Sequence, residues 1–170
     1  YWTPELAYRD RLIIPFYYEK RIVGWTARTV NPDKKPRYLT EAQPGFVYGL
    51  DEQRPNKVFC ILVEGQVDAI HVDGCAIGGS EINEQQALLL NRLQKQIIVV
   101  PDRDKSGSKL VEQAIDYGWS VSLPEWSQEI IDVGDAVSKY GRLYALHSIV
   151  SASEDSALKI RLRAKKWFNK

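Results

Sequence analysis

Apolar and polar positions change their rhythm near residue 57. Before it the chain reads as strands. RLIIPFYY (11–18) and RIVGWTARTV (21–30) are rich in β-branched and aromatic side chains and are separated by Glu19-Lys20, which predicts a hairpin with a polar turn. Pro15 has no N–H for a neighbour, so the first strand should lie at a sheet edge or carry a bulge. NPDKKP (31–36) follows as a turn-rich basic loop and RYLT (37–40) as a short third strand. Residues 41–57, with Pro44, Gly45, Gly49 and Pro55, read as an irregular connection.

Beyond residue 57, continuous apolar runs alternate with amphipathic stretches. KVFCILVEG (57–65), CAIGGS (75–80), QIIVVPD (96–102) and WSVSLP (119–124) read as strands. The unbroken apolar character of the first and third means burial on both faces, as in a parallel sheet. Helices are expected over 66–74, with Val67, Ile70 and His71 on one face, and over 81–93, with Ile82, Leu88, Leu89 and Leu93. Others are expected over 105–118 and 132–151, followed by a basic helix over 154–170 carrying Leu158, Ile160, Leu162 and Trp167. Strand alternating with helix predicts an α/β fold: a parallel four-stranded sheet, flanked by helices and joined by right-handed crossovers. The expected division is a β-rich basic subdomain at 1–56, an α/β domain at 57–150 and a basic C-terminal helix at 151–170.

Composition narrows the class. The chain has 170 residues, 44% apolar and 26% charged, an ordinary globular balance. No run approaches the length of a membrane-spanning helix, and the first residues have no signal-peptide pattern, so no membrane partner and a cytoplasmic location are expected. Met is absent, so the chain reads as a piece of a longer protein or a processed product. Cys60 and Cys75 are too few for a Cys-only zinc site and lack the pattern of a disulfide scaffold. The net charge of +1 hides an acidic middle: residues 58–150 hold seven Lys/Arg against thirteen Asp/Glu, whereas 1–57 hold ten against seven and 151–170 six against two. Basic arms around an acidic core suit a metal site that handles a polyanion, and ordinary charge fluctuation accounts for the numbers as well.

The acids supply the candidate chemistry. Glu64 terminates one apolar strand and Asp102 another, with Asp104 two residues on. Open parallel sheets place ligand sites at the C-terminal strand ends, so these carboxylates face each other if the two strands are neighbours. Such a cluster repels itself and raises its own pKa values. A divalent cation relieves that, and all-oxygen donors suit Mg²⁺ or Mn²⁺. Asp68, one turn beyond Glu64, can project back to the same point. Asp132 and Asp135 form a later pair, and Asp68, Asp132 and Asp135 read equally as helix caps or exposed acids. Gly65 is expected to let the chain turn behind Glu64. Gly78 and Gly79 would let backbone approach a phosphate or metal, and Gly107 opens a helix whose N–H groups favour anions. His71 and His147 lie on helices without carboxylate company and read as structural.

At these residues the sequence resembles the Toprim domain, shared by bacterial-type primases, topoisomerases and some nucleases. The resemblance rests on LVEGQVDAI (62–70) and IVVPDRDKSG (98–107), a strand ending in Glu-Gly with Asp-Ala after it and a later strand ending in Asp-x-Asp before a Gly. RLIIPFYYEKRIVGWTARTV (11–30), KPRYLT (35–40) and FVYGLD (46–51) are similar to the segment preceding Toprim in DnaG-like primases, and AIGGSEINEQQALLL (76–90) resembles that family's turn into a Gln-rich helix. The resemblance covers about residues 11–141. It implies a Rossmann-like Toprim sheet preceded by a small, mainly β, basic subdomain. The family's zinc-binding and helicase-contacting parts have no counterpart in this sequence, and its second acidic pair is spaced here as Asp132 and Asp135.

The resemblance implies a DNA primase, a DNA-directed RNA polymerase that makes short RNA primers on single-stranded DNA from ribonucleoside triphosphates during DNA replication. Its partner would be a replicative helicase, contacted through regions absent from this chain. Glu64, Asp102 and Asp104 would be catalytic, and Glu64, Asp68, Asp102, Asp104 and Asp132 would hold Mg²⁺ or Mn²⁺. Arg21, Arg28, Lys34, Lys35, Arg37 and Tyr38 would meet the template, cations on phosphate and aromatics on unpaired bases, while Trp25 reads as a core residue of the small sheet. The alternatives are a Toprim-type nuclease and an inactive nucleic-acid-binding or assembly module. A topoisomerase would need a separate domain with a nucleophilic Tyr, for which the chain has no room.

Overall fold

β-branched and aromatic residues keep the first hairpin extended, as β1 (Arg11–Tyr18) and β2 (Arg21–Thr29). The computed structural model describes residues 3–169. Glu19 and Lys20 both take positive φ, 50° and 63°, the two-residue turn whose twist matches that of the strands it joins. β3 (Tyr38–Ala42) pairs with β2 in an antiparallel sheet of order β1-β2-β3. Pro15 lies on the edge strand, and the register shifts beside it, between Phe16 and Tyr17, so both devices that accommodate a strand proline are present.

The hairpin has one unusual buried group. Arg11 is 6% exposed, and its guanidinium donates to the carbonyls of Ala27 at 3.1 Å and Pro36 at 2.9 Å. A buried charge needs such acceptors. Here they tie the basic loop over 31–37 back to β1 and β2, an anchoring role that strand patterning did not reveal. Phe16 stacks on Phe46 with ring centroids 5.3 Å apart.

The described residues fall into two compact units that divide between Phe46 and Val47. Residues 47–56 go with the second unit because Tyr48 and Ala76 exchange backbone hydrogen bonds at 2.8 and 3.1 Å. Gln53 also donates to the carbonyls of Gly49 and Asp73.

The second unit is α/β. Its strands are β4 (Phe59–Val63), β5 (Cys75–Ala76), β6 (Gln96–Val99), β7 (Ser120–Ser122) and β8 (Ser153–Glu154), in the order β5-β4-β6-β7-β8. The first four are parallel, as expected, and β8 adds an antiparallel fifth strand at the edge. That strand comes from residues expected to open the C-terminal segment, where only two residues pair. The helices are α1 (Gln66–Val72), α2 (Glu84–Arg92), α3 (Lys105–Asp116), α4 (Val133–Tyr140), α5 (Arg142–Ser151) and α6 (Ala157–Phe168).

Leu62, Val63, Ile98 and Val99 in the sheet and Leu110, Val111, Ile149 and Ile160 on the helices are fully buried, each such side chain contributing roughly 1.5–3 kcal/mol of transfer free energy. Three helix faces differ from their sequence patterns. In α1, Gln66, Ala69 and Val72 pack inward while Ile70 is half-exposed. In α2, Gln86, Ala87 and Leu90 are inside and Leu88 is exposed. In α6, Ile160 and Trp167 are buried and Leu158 and Leu162 are not. Short helices close to a sheet admit small residues at the contact, so docking rather than side-chain bulk decides the face. Helix α6 belongs with the second unit, where Arg161 pairs with Glu112 of α3 at 2.8 Å. Lys170, at the end of the expected helix, lies outside the described residues.

Candidate metal centre

β4 and β6 are adjacent and parallel, with Leu62 opposite Val99 and the Val100 N–H donating to the Leu62 carbonyl. Glu64 and Asp102 therefore leave the sheet at the same end, from neighbouring strands. Gly65 follows Glu64 with an ordinary extended φ of −94°. The glycine leaves room rather than making a sharp turn: a Cβ there would stand 2.6 Å from Asp68 Oδ2.

Asp104, Asp132, Asp68 and Asp135 each commit one oxygen to backbone. Asp104 caps α3, its Oδ1 accepting from the Ser106 and Gly107 N–H groups at 2.8 and 2.9 Å and from the Ser106 hydroxyl at 2.6 Å. The anion at that helix start is thus the protein's own carboxylate. A Cβ on Gly107 would meet the Asp102 carbonyl at 2.0 Å, so the glycine lets α3 begin against the β6 exit. Asp132 caps α4, its Oδ1 accepting from Asp135 N–H at 2.7 Å. Asp68 reaches across to another helix. Its Oδ1 accepts the Gly134 N–H at 2.8 Å, tying α1 to the start of α4. Asp135 is exposed and accepts from Ile131 N–H. Gly78 donates its N–H to the Glu64 carbonyl and lies against the Gln66 amide, while nothing approaches Gly79 within 4 Å of a Cβ position.

Asp102 feels the other four acids, and Glu64 and Asp68 feel their neighbours. Burial, then the Asp104 charge, push Glu64 up to about 7, against the Asp102 backbone N–H and the Ser106 hydroxyl, which pull it down. Glu64 Oε1 is buried without a hydrogen-bond partner. Burial, then the charges of Glu64, Asp68, Asp132 and Asp104, push Asp102 up to about 8. Burial, then Asp132, raise Asp68, and His71 partly offsets them. His71 therefore stands beside a carboxylate, contrary to its sequence reading. Burial works to raise Asp104, and its bonds from Ser106 and Gly107 outweigh that and hold it low.

Among the described residues no group of three His, Cys, Asp or Glu side chains is already positioned around one metal ion. Bare carboxylates, with one oxygen of Asp68, Asp104 and Asp132 held by N–H groups, stay apart, because closer approach raises their mutual repulsion. The donors nevertheless fit a hard divalent cation: all are oxygens, one is a buried orphan, and the cluster carries charge that burial penalises.

In the first unit, Arg28 and Arg37 lie 5.7 and 5.9 Å from the centroid of the Tyr38 ring, forming a cation–aromatic cluster at one end of β2 and β3. Lys35 is exposed nearby in sequence, and Lys34 is engaged with the Arg9 carbonyl and Asp10. Arg21 does not join them. It starts β2, seven residues from Arg28 and so roughly 23 Å away along an extended strand. Trp25 is half-buried and meets Tyr8 edge-on at 6.5 Å.

Ser106 and Gly134 act at the carboxylates without having been singled out. Arg103 was visible as a cation between two strand-end acids. Its guanidinium leaves the acids, donates to the Ser127 carbonyl and lies over the Trp167 ring.

The parallel sheet carries Glu-Gly after one strand and Asp-x-Asp after its neighbour. Residues 61–133 match the family described as Toprim-like. The chain is also similar to DNA primases. It is 26% identical over 171 residues to the DNA primase of Aquifex aeolicus, covering 87% of this chain and 34% of that protein. With the DNA primase of Halalkalibacterium halodurans the identity is 29% over 154 residues, covering 79% and 25%. The chain thus spans about a third or less of these relatives' lengths. The fold is shared with the structure of a DnaG primase catalytic domain bound to ssDNA, at a TM-score of 0.72 and 21% identity, over 92% of this chain and 56% of that one.

Proposed function

We propose that this chain is the nucleotidyl-transfer core of a primase, joining ribonucleotides on a single-stranded DNA template. The observation that carries the reading is the carboxylate pair Glu64 and Asp102 on adjacent parallel strands, with pKa values pushed up to about 7 and about 8 in a cluster of five acids. The likeness to DNA primases supports it.

Glu64, Asp102 and Asp104 would hold a divalent cation, Mg²⁺ or Mn²⁺, with Asp68 and Asp132 supporting them. A bound cation supplies charge neutralisation at a triphosphate and lowers the pKa of an attacking hydroxyl. The protein's own part is positional and protonic. Asp68 and Gly134 lock α1 to α4, and Asp104 and Gly107 lock α3 to the β6 exit. Glu64 can take a proton at its orphan Oε1 from a primer 3′-hydroxyl as that oxygen attacks an α-phosphate and pyrophosphate departs. Arg28, Lys35, Arg37 and Tyr38 would hold template phosphate and base, with Lys34 and Arg21 in outlying roles.

The test is extension of labelled ribonucleotides on single-stranded DNA with Mg²⁺ or Mn²⁺. Glu64→Gln should fold normally and lose activity by about 10²-fold or more. DNA cleavage without synthesis would assign the chain to the nuclease alternative. DNA binding with neither reaction would assign it to the inactive binding module.

A further inference from the structure

Arg103 stands between Asp102 and Asp104 in sequence, yet its guanidinium lies 3.8 Å from the centroid of the Trp167 ring on α6. Both residues line a cavity of about 610 Å³ between the segment after β7, α5 and α6. That volume is within the range that holds small ligands or part of a larger one.

Three observations specify what it takes. First, among the described residues Arg103, Arg163 and Lys166 line it against a single acid, Glu125. Other α6 cations are already matched, Lys159 by Glu154 and Arg161 by Glu112, whereas Arg163 donates to the Ala152 carbonyl. Second, two buried donors on the wall lack acceptors, Arg103 Nε and Trp167 Nε1, and Trp167 is only 8% exposed. The neighbouring Trp126 Nε1 is satisfied by Ser148 Oγ at 2.9 Å. A buried donor without a partner is costly, so these two call for an acceptor-bearing ligand. Third, the Tyr144 ring is 53% exposed on the same wall, a surface on which a base can stack.

We propose that this cavity binds a nucleotide phosphate belonging to a single strand of nucleic acid, at a place distinct from the carboxylate centre. The inference rests on the nucleic-acid reading above and adds a second contact region to it. A strand suits the site better than a free nucleotide, because Arg163 and Lys166 are exposed one helical turn apart and offer successive phosphates.

The experiment measures anisotropy of a labelled short oligodeoxythymidylate with the whole 170-residue chain in EDTA, so that binding at the metal centre does not contribute. The Arg163→Ala Lys166→Ala variant should bind about tenfold more weakly, with a log–log salt slope smaller by about one to two. Trp167→Phe keeps the ring but removes the N–H, and should weaken binding about threefold at an unchanged melting temperature. Lys165→Ala, on α6 but outside the cavity wall, should change little. Failure of ATP to compete assigns the site to a strand, and ATP displacement with the same variant dependence assigns it to a free nucleotide. Unchanged affinity in the double variant, or an equal loss in Lys165→Ala, overturns the proposal. Primer synthesis is assayed on the same preparations. Intact synthesis with insensitive binding sinks only this inference, and variant-sensitive binding without synthesis sinks only the reaction.

Discussion

The backbone N–H of Asp102 draws the Glu64 carboxyl toward its charged form, while the Glu64 charge pushes the Asp102 carboxyl the other way. One residue thus stabilises its neighbour's anion through its main chain and suffers from it through its side chain. The arrangement keeps at least one proton in the cluster near neutral pH.

A pH dependence of stability follows. The folded state holds Glu64 at about 7 and Asp102 at about 8, against ordinary values of 4.5 and 3.8. Between those limits the folded protein binds more protons than the unfolded chain, so this contribution to stability is greatest at the acid end and is lost as pH rises toward 8. The metal-free protein should melt higher at about pH 5.5 than at about pH 8.5, and Asp102→Asn should raise the melting temperature at the alkaline end and flatten the trend. A metal-free melting temperature that climbs over that interval would contradict it.

Cation binding should reverse the penalty. Calorimetry should find Mn²⁺ binding that disappears in Asp102→Ala Asp104→Ala, and at a hundredfold excess over Kd the ion should add about 2.7 kcal/mol to stability. Equal Mn²⁺ binding by that variant would remove both residues from the ligand set.

Gly107→Ala tests the approach of α3 to the β6 exit. Alanine in a helix is worth up to about 1 kcal/mol over glycine, but the Cβ would meet the Asp102 carbonyl at 2.0 Å, which is backbone and cannot swing aside. Strain should win, with a net loss of about 1–3 kcal/mol in a denaturant melt and weaker Mn²⁺ binding. A stabilised variant would show that the contact is slack.

For the first unit, neutralising Lys35 and Arg37 should weaken binding to single-stranded DNA and reduce the log–log salt slope by about one to two. Arg21→Ala, at the far end of β2, should do much less. A titration in which Arg21→Ala costs as much as the pair would move the contact surface along the strand.

Much of the architecture follows from local pattern. Alternating strand and helix, the polar Glu19-Lys20 turn, the edge position of Pro15 and the acids ending two apolar runs are all set by chemistry within a few residues of chain, where propensity and periodicity act. Tertiary structure alone decided the rest. That Glu64 and Asp102 are neighbours depends on β6 pairing with β4. Docking against the sheet turned Ala69 and Val72 of α1 inward instead of Ile70, because a helix of seven residues has too little apolar surface to dictate its own face. The turn of Arg103 away from its flanking acids onto Trp167, 64 positions later, and the bond from Gly134 to Asp68 depend on packing between distant segments. Sequence determined which groups could do chemistry; the order of the strands and the seating of the helices decided which of them meet, since contact between remote residues is settled by the burial of whole elements and not by their neighbours in the chain.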